Sequence, residues 1–420
     1  MKKDIQTKGI VVVLDGLGDL PVRQLGEKTP LEAAYTPNLD FLATRGKMGY
    51  IYPVSPGYSP SSRESLVSLF GNKLSTSTTG QLEAIGTGVE LSKGDLALRV
   101  NLATIDNYEN GLIQDRRALR TLLTSEAKTL SKAINKINFP YAFEFIPTVG
   151  HRGLLILRGD YSDKITGSDL TYTKGTSAEA QKFEKSVALS SDDKAIETAE
   201  ILNALLLEIH LVLEKHPINR KRRNKGLLPV NFLLTRGPGV IQPKLKQYKK
   251  WVSVTYSSLE KGFSIMSGMR NYSFKYPKLK TIDVYKNLWE GLKTASKFAE
   301  KVIKKNIGKS EYIYVHFKEI DIPSHDNKPF EKKAILEYLD KTFFKFICRV
   351  APMKKIKVIV TGNNSTPCKL KSHSSDPVPV LVYDFSLPKE KKFFSEKDAK
   401  KGVLKRFVGI DFLKRVGFAR

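Results

Sequence analysis

The side chains best equipped for chemistry in this chain are cations, and they come grouped with aromatics. Arg220, Lys221, Arg222, Arg223 and Lys225 fall together in His216–Gly226, which reads as a basic loop. Lys244, Lys246, Lys249 and Lys250 interleave with Tyr248 and Trp251, and Lys275, Lys278 and Lys280 with Tyr272, Phe274 and Tyr276. The runs Lys301–Lys309, Lys354–Lys357 and Lys389–Arg420 continue the theme, the last with Lys391, Lys392, Lys400, Lys401, Lys405 and Arg406. Ammonium and guanidinium groups neutralise phosphates, while aromatic faces stack on unpaired bases, so the combination suits a structured RNA. No RRM, KH, helix-turn-helix or zinc-finger pattern accompanies it, which leaves backbone-dominated binding to a large folded RNA as the expectation. The ribosome is the commonest such partner.

These cations are unevenly distributed. Residues 1–210 hold 24 Lys and Arg against 25 Asp and Glu, whereas residues 211–420 hold 46 against 18, which accounts for the whole net charge of +27. Lys-rich surfaces of thermophilic proteins normally pair Lys with Glu; here the matching acid is missing from the second half. Apolar residues make up 41% of the 420, enough for a large core, and the 10% aromatic content excludes a disordered, solvating chain. No apolar stretch reaches the ~18 residues of a membrane span, so no membrane partner is expected. The start of the chain lacks the apolar run of a signal peptide, and two cysteines, Cys348 and Cys368, make no disulfide framework. A cytoplasmic location is the expectation.

The elements that must position any site are legible as alternating strands and helices. Ile10–Leu14 predicts a buried strand that ends in Asp15-Gly16 and delivers a carboxylate into a loop, the edge where open α/β sheets build sites. Arg63–Phe70 predicts a helix capped by Ser61 or Ser62, and Glu197–Glu214 is the clearest amphipathic helix. Strands are expected at Leu96–Val100, Leu154–Leu157, Val230–Thr235, Tyr312–His316, Ile356–Val360 and Val378–Val382, and helices at Tyr285–Lys305 and Phe330–Phe346. This order predicts an α/β protein with a doubly wound core and an inserted α+β domain. The expected boundaries are 1–88 for the first core segment, 89–229 for the insert and its connecting helix, and 230–420 for the second, basic core segment.

Four segments in order carry a family resemblance: DGLGDLPV at Asp15, KTPLEAAYTPNLDFLA at Lys28, LEAIGTGVELSKGDLALRVNLATID at Leu82 and TGNNSTPCKLKSHSSDPVPVLVY at Thr361. VGHRGLLILRG at Val149 and TAEILNALLLEIHLVLEKHPIN at Thr198 agree. Over essentially its whole length the chain resembles the archaeal-type cofactor-independent phosphoglycerate mutases of the alkaline phosphatase superfamily. The resemblance implies an alkaline-phosphatase-like fold and two divalent ions side by side, one of which activates a serine that accepts and returns a phosphoryl group. Carried over, the serine is Ser62 and the first carboxylate ligand Asp15. Asp321, His325 and His373 match one complete metal site, and Arg152, Arg236 and Lys261 fall where substrate phosphate or carboxylate is held.

The second metal site departs from that pattern. The family reads TGDHSTPC where this chain has Thr361-Gly362-Asn363-Asn364-Ser365, so a carboxylate and an imidazole have become neutral amides. An amide oxygen is a weak ligand for manganese or zinc, and Ser62 without an activating ion keeps the high pKa of an alcohol. Arg63 replaces an Asp, Ser77–Ala84 lacks the Arg and Pro of TGRGPLEA, and GHDGD has become Ser324–Lys328. Together these changes lead to the expectation of a catalytically inactive family member, a pseudoenzyme recruited as an RNA-binding, ribosome-associated structural protein with no small-molecule substrate. Its expected cofactor is none or a single zinc or manganese ion. The alternative is an active metal-dependent mutase or related phosphotransferase.

Overall fold

The computed structural model describes residues 5–76, 78–170, 181–240 and 244–418. Its strands are β1 Gly9–Leu14, β2 Gly46–Tyr52, β3 Leu96–Ile105, β4 Ile113–Asp115, β5 Phe143–Pro147, β6 Arg152–Leu157, β7 Phe232–Gly239, β8 Trp251–Val254, β9 Arg270–Tyr272, β10 Tyr312–Phe317, β11 Lys357–Thr361, β12 Val378–Tyr383 and β13 Lys405–Val408. Eight of them form one sheet in the order β13-β2-β12-β11-β1-β10-β8-β9. Within it β11, β1, β10, β8 and β9 run parallel, each flanked by helices, as the alternating pattern predicts. Every residue of β1 is buried, which is why the β-branched and leucine run Ile10–Leu14 was readable as a central strand. The loops that leave the carboxyl ends of β1, β10 and β11 begin at Asp15, Lys318 and Gly362, so three distant parts of the chain meet at one sheet edge.

The second sheet is antiparallel, β4-β3-β6-β5 with β7 paired to the other side of β3. It packs against the long helix Asp193–Lys215 over a core of its own. Strand β7 lies beyond the expected boundary at 229 and is hydrogen-bonded into this insert, so the chain returns to the main sheet only at β8. His216–Gly226, expected as a loop, is largely the helix Pro217–Asn224.

Two helices that sequence periodicity did not resolve, Thr79–Thr87 and Ser258–Met266, pack backbone to backbone. A Cβ at Gly86 would lie 1.7 Å from the carbonyl oxygen of Ser258, and one at Gly262 would lie 1.8 Å from that of Leu82. Only hydrogen fits there. Gly262→Val should therefore lower stability by about 1–3 kcal/mol or more through overpacking, read as a reduced denaturant midpoint, and an unchanged midpoint would show that the contact is slack.

Candidate functional site

Asp321 opens a short helix, Asp321–His325, that follows β10, so Asp321 and His325 share one face one turn apart. His373, from the loop after β11, completes a cluster whose ligand atoms lie within 4.8 Å of one another. His325 Nε2 stands 3.2 Å from Asp321 Oδ2, and His373 Nε2 stands 3.8 Å from Asp321 Oδ1. Both imidazoles are fixed from behind: His325 Nδ1 bonds the Lys371 carbonyl at 2.8 Å and His373 Nδ1 the Pro60 carbonyl at 2.7 Å. A carbonyl can only accept, so each Nδ1 carries a proton and each Nε2 is the ring nitrogen left to face an ion. Burial pushes the His373 imidazole below its usual value, which keeps it neutral. Despite burial, His325 and then His373 hold the Asp321 carboxyl well below the usual carboxylate range. Two imidazoles and a carboxylate with a shared focus fit a divalent ion with open positions.

The cluster opens on a cavity of about 590 Å³ between the two sheets. Among the described residues seven arginines and two lysines line it against four carboxylates, a surplus of positive charge that suits an anion. Arg152 and Arg236 stand on its wall as expected, placed there by β6 and β7, and Ser62 stands on its rim at the first position of the helix Ser62–Leu69. Ser61 is the cap of that helix, accepting the Glu64 N–H. Lys261 does not line the cavity.

Several lining residues escaped the sequence reading. Arg116, Arg117 and Arg120 come from a turn in which Ala118, Leu119 and Arg120 have φ of 45°, 52° and 56°, a left-handed run that costs non-glycine residues energy. Asp115 Oδ1 holds it, accepting the Arg117 N–H at 2.7 Å and the Leu119 N–H at 2.8 Å. The available signal was three arginines in five residues within an otherwise balanced half. Arg116 donates to Asp169 at 2.6 Å, while Arg120 pairs with Asp326, which also accepts the Tyr285 hydroxyl at 2.8 Å. Lys318 and Glu319 also line the cavity. Burial raises the Glu319 carboxyl, against the hydroxyl of Tyr256, which donates to it at 2.6 Å.

Asp15, the expected ligand of a second ion, is wholly buried and paired with Lys318. Burial works against its charge, yet Lys318 draws the Asp15 carboxyl down to about 2. Burial likewise opposes the Lys318 ammonium, but Asp15 and Glu260 more than offset it and hold that group above the usual lysine range. The residues at the second position do not fit an ion. The Asn363 Oδ1 already accepts the Gly16 N–H at 3.3 Å and the Asn364 Oδ1 the Ser65 hydroxyl at 2.5 Å, leaving amide nitrogens, which repel cations. In the segment that departs from TGRGPLEA, Thr78 accepts the Gln81 N–H and caps the helix Thr79–Thr87.

A sequence model of the family described as 2,3-bisphosphoglycerate-independent phosphoglycerate mutase matches residues 43–219. Proteins of that name from Thermococcus kodakarensis and Pyrococcus furiosus are 34% and 36% identical to this chain, over 97% of it and 95% and 96% of their own lengths. Among solved structures, a Pyrococcus horikoshii protein superposes with a TM-score of 0.73 at 28% identity over 99% of both chains. The cofactor-independent phosphoglycerate mutase of Thermoplasma acidophilum gives 0.55 at 28% identity, over 97% of this chain and 98% of that one.

These likenesses correct the expectation of an inactive, RNA-binding and ribosome-associated protein without a small-molecule substrate: the full-length relatives are named as mutases. The geometry gives physical reasons why the basic pattern misled. Arg222 is 1% exposed and ties its helix inward, donating to the Leu228 carbonyl at 2.8 Å and to Glu126 at 2.8 Å. Trp251 is buried and stacks on Tyr312 with centroids 4.8 Å apart, and Phe274 and Tyr276 pack against Tyr256. Trp251 is a core residue, and Phe274 and Tyr276 are half-buried with their faces taken by other rings, so none is a free base platform. Arg223 pairs with Glu214, Lys250 with Glu311 at 2.8 Å and Lys392 with Glu390 at 2.6 Å. Lys278 lines the cavity. Arg220, Lys221, Lys225, Lys244, Lys246, Lys249, Lys275, Lys280, Lys391, Lys400, Lys401, Lys405 and Arg406 are exposed and spread over separate elements, an ordinary solvated face. Among the described residues no helix is long and apolar enough to cross a membrane.

Proposed function

Because the chain belongs to the 2,3-bisphosphoglycerate-independent phosphoglycerate mutase family, we propose that it is a metal-dependent phosphotransferase acting on a small phosphorylated hydroxy acid of the phosphoglycerate class. The observation that carries this reading is the pair of imidazoles and the Asp321 carboxylate opening on an arginine-lined cavity with a serine at its rim. Asp321, His325 and His373 would hold one divalent ion, and their donor set suits zinc or manganese. That ion supplies Lewis-acid polarisation of a phosphoryl oxygen when bound.

The chain's own residues do the rest. Arg152 and Arg236 offer forked N–H donors matched to phosphate and carboxylate oxygens. Ser62 Oγ takes the phosphoryl group: its bond to phosphorus forms as the ester bond to the substrate oxygen breaks, and the serine proton ends on that departing oxygen. Attack by the neighbouring substrate hydroxyl reverses the exchange and regenerates Ser62. A cytoplasmic location belongs to the same reading, supported by the two unpaired cysteines. After incubation with 3-phosphoglycerate and Mn²⁺, acid-quenched protein should carry one phosphate on Ser62 by mass spectrometry. Ser62→Ala should lose both the label and turnover; a Ser62→Ala variant that turns over at the parent rate would overturn the proposal.

A further inference from the structure

We propose that this chain binds one divalent ion only, and that the ammonium of Lys318 stands in the place of a second. The inference rests on the metal reading of Asp321, His325 and His373 above and goes beyond it. The resemblance places the second, serine-activating ion at the positions of Asn363 and Asn364. Both amide oxygens are spent on protein donors, while Asn363 Nδ2 and Asn364 Nδ2 are buried without a partner. A cation placed there would meet unpartnered N–H groups and neutral amide oxygens that each already accept a hydrogen bond, with no negative charge from either residue.

The anionic groups nearby are already neutralised from within. Lys318 Nζ pairs with Asp15 and lies 3.0 Å from Glu260, and His316 Nε2 is 3.7 Å from Asp15 Oδ2. Ligand atoms of Asp15, Glu260 and His316 lie within 4.8 Å of one another, and all three residues are buried. His316 Nδ1 meets the Tyr314 hydroxyl at 2.6 Å, and its Nε2 has no hydrogen-bond partner. Two carboxylates and an imidazole would be a competent ion site if the lysine were absent. With the lysine present, a divalent ion would have to displace an ammonium already paired with both carboxylates.

Metal stoichiometry tests this without recourse to activity. The full chain, dialysed against Zn²⁺ and measured by elemental analysis, should hold one equivalent, lost in His373→Ala. Lys318→Ala should rise to two, and Co²⁺ substitution should give it a second set of visible absorption bands. Two equivalents in the unaltered protein, or one in a folded Lys318→Ala, would overturn the inference. If Lys318→Ala does not fold, the stoichiometry of the unaltered protein decides alone. One bound ion without any phosphoryl transfer would instead overturn the proposed function and leave this inference standing; no ion at all would overturn both.

Discussion

Asp321→Asn should lower phosphoryl transfer by on the order of 10³-fold or more, the several kcal/mol that Lewis-acid stabilisation of a phosphoryl group supplies. Asp321 is the focus of the cluster: both imidazoles face its oxygens, and Thr366 Oγ1 donates to Oδ1 at 2.9 Å. The amide removes the charge that offsets the ion while it preserves shape, so folding should be nearly unaffected. Thr366→Val should act more mildly, since it removes only the bond that orients the Asp321 carboxylate, and losing such a bond to a ligand usually lowers metal affinity about 10–100-fold. Activity titrated against Mn²⁺ distinguishes the two, because Thr366→Val should be rescued by excess metal and Asp321→Asn should not. Full activity in Asp321→Asn would remove the basis for a metal at this cluster.

The second large effect is on stability. Lys332 and Asp19 are an ion pair with neither side chain exposed, 2.8 Å apart. Lys332 Nζ also approaches the carbonyls of Gly18 at 3.4 Å and Thr366 at 3.3 Å, while Asp19 accepts the backbone N–H groups of Leu20 at 2.8 Å and Cys368 at 3.1 Å. This pair clamps the loop after β1 to the loop after β11, the two segments that carry Asp15 and Asn363. Lys332→Met would leave Asp19 charged, buried and uncompensated, at a cost of about 3–5 kcal/mol. Adding Asp19→Asn should recover part of that loss, because removing both charges is less damaging than stranding one. Urea unfolding of the two single variants and the double variant measures the coupling. A single variant that unfolds at the parent midpoint would mean that water reaches the pair.

The parallel core was readable because its strands are buried on both faces and therefore appear as continuous apolar runs. Ile10–Leu14 and Ile356–Val360 fall within one residue of β1 and β11. The edge strand β13 was not readable: Lys405 and Arg406 are exposed, and its partner is β2, some 350 residues earlier in the chain. Ser62, Asp321, His325 and His373 were placed through resemblance to long motifs, and the fold brings the last three together. Arg116, Arg117 and Arg120 were missed because a left-handed turn, not a periodic element, aims them at the cavity. The Lys318 pairing with Asp15 and Glu260 joins residues with no sequence pattern in common, so only the sheet edge reveals it. The basic clusters misled for a simpler reason. Charge counted along the chain does not distinguish Arg222, locked against Glu126, from a solvated lysine such as Lys221.

The most direct test of the central claim is phosphorus NMR of the purified protein, loaded with Mn²⁺ or Zn²⁺ and then freed of excess metal, in the presence of 3-phosphoglycerate. Conversion should appear as a second phosphomonoester resonance, that of 2-phosphoglycerate, growing to an equilibrium mixture without release of inorganic phosphate. It should be abolished in Ser62→Ala and strongly reduced in Asp321→Asn. A spectrum that keeps the single starting resonance, from protein shown to hold its ion, would contradict the assignment of phosphoryl transfer to this site.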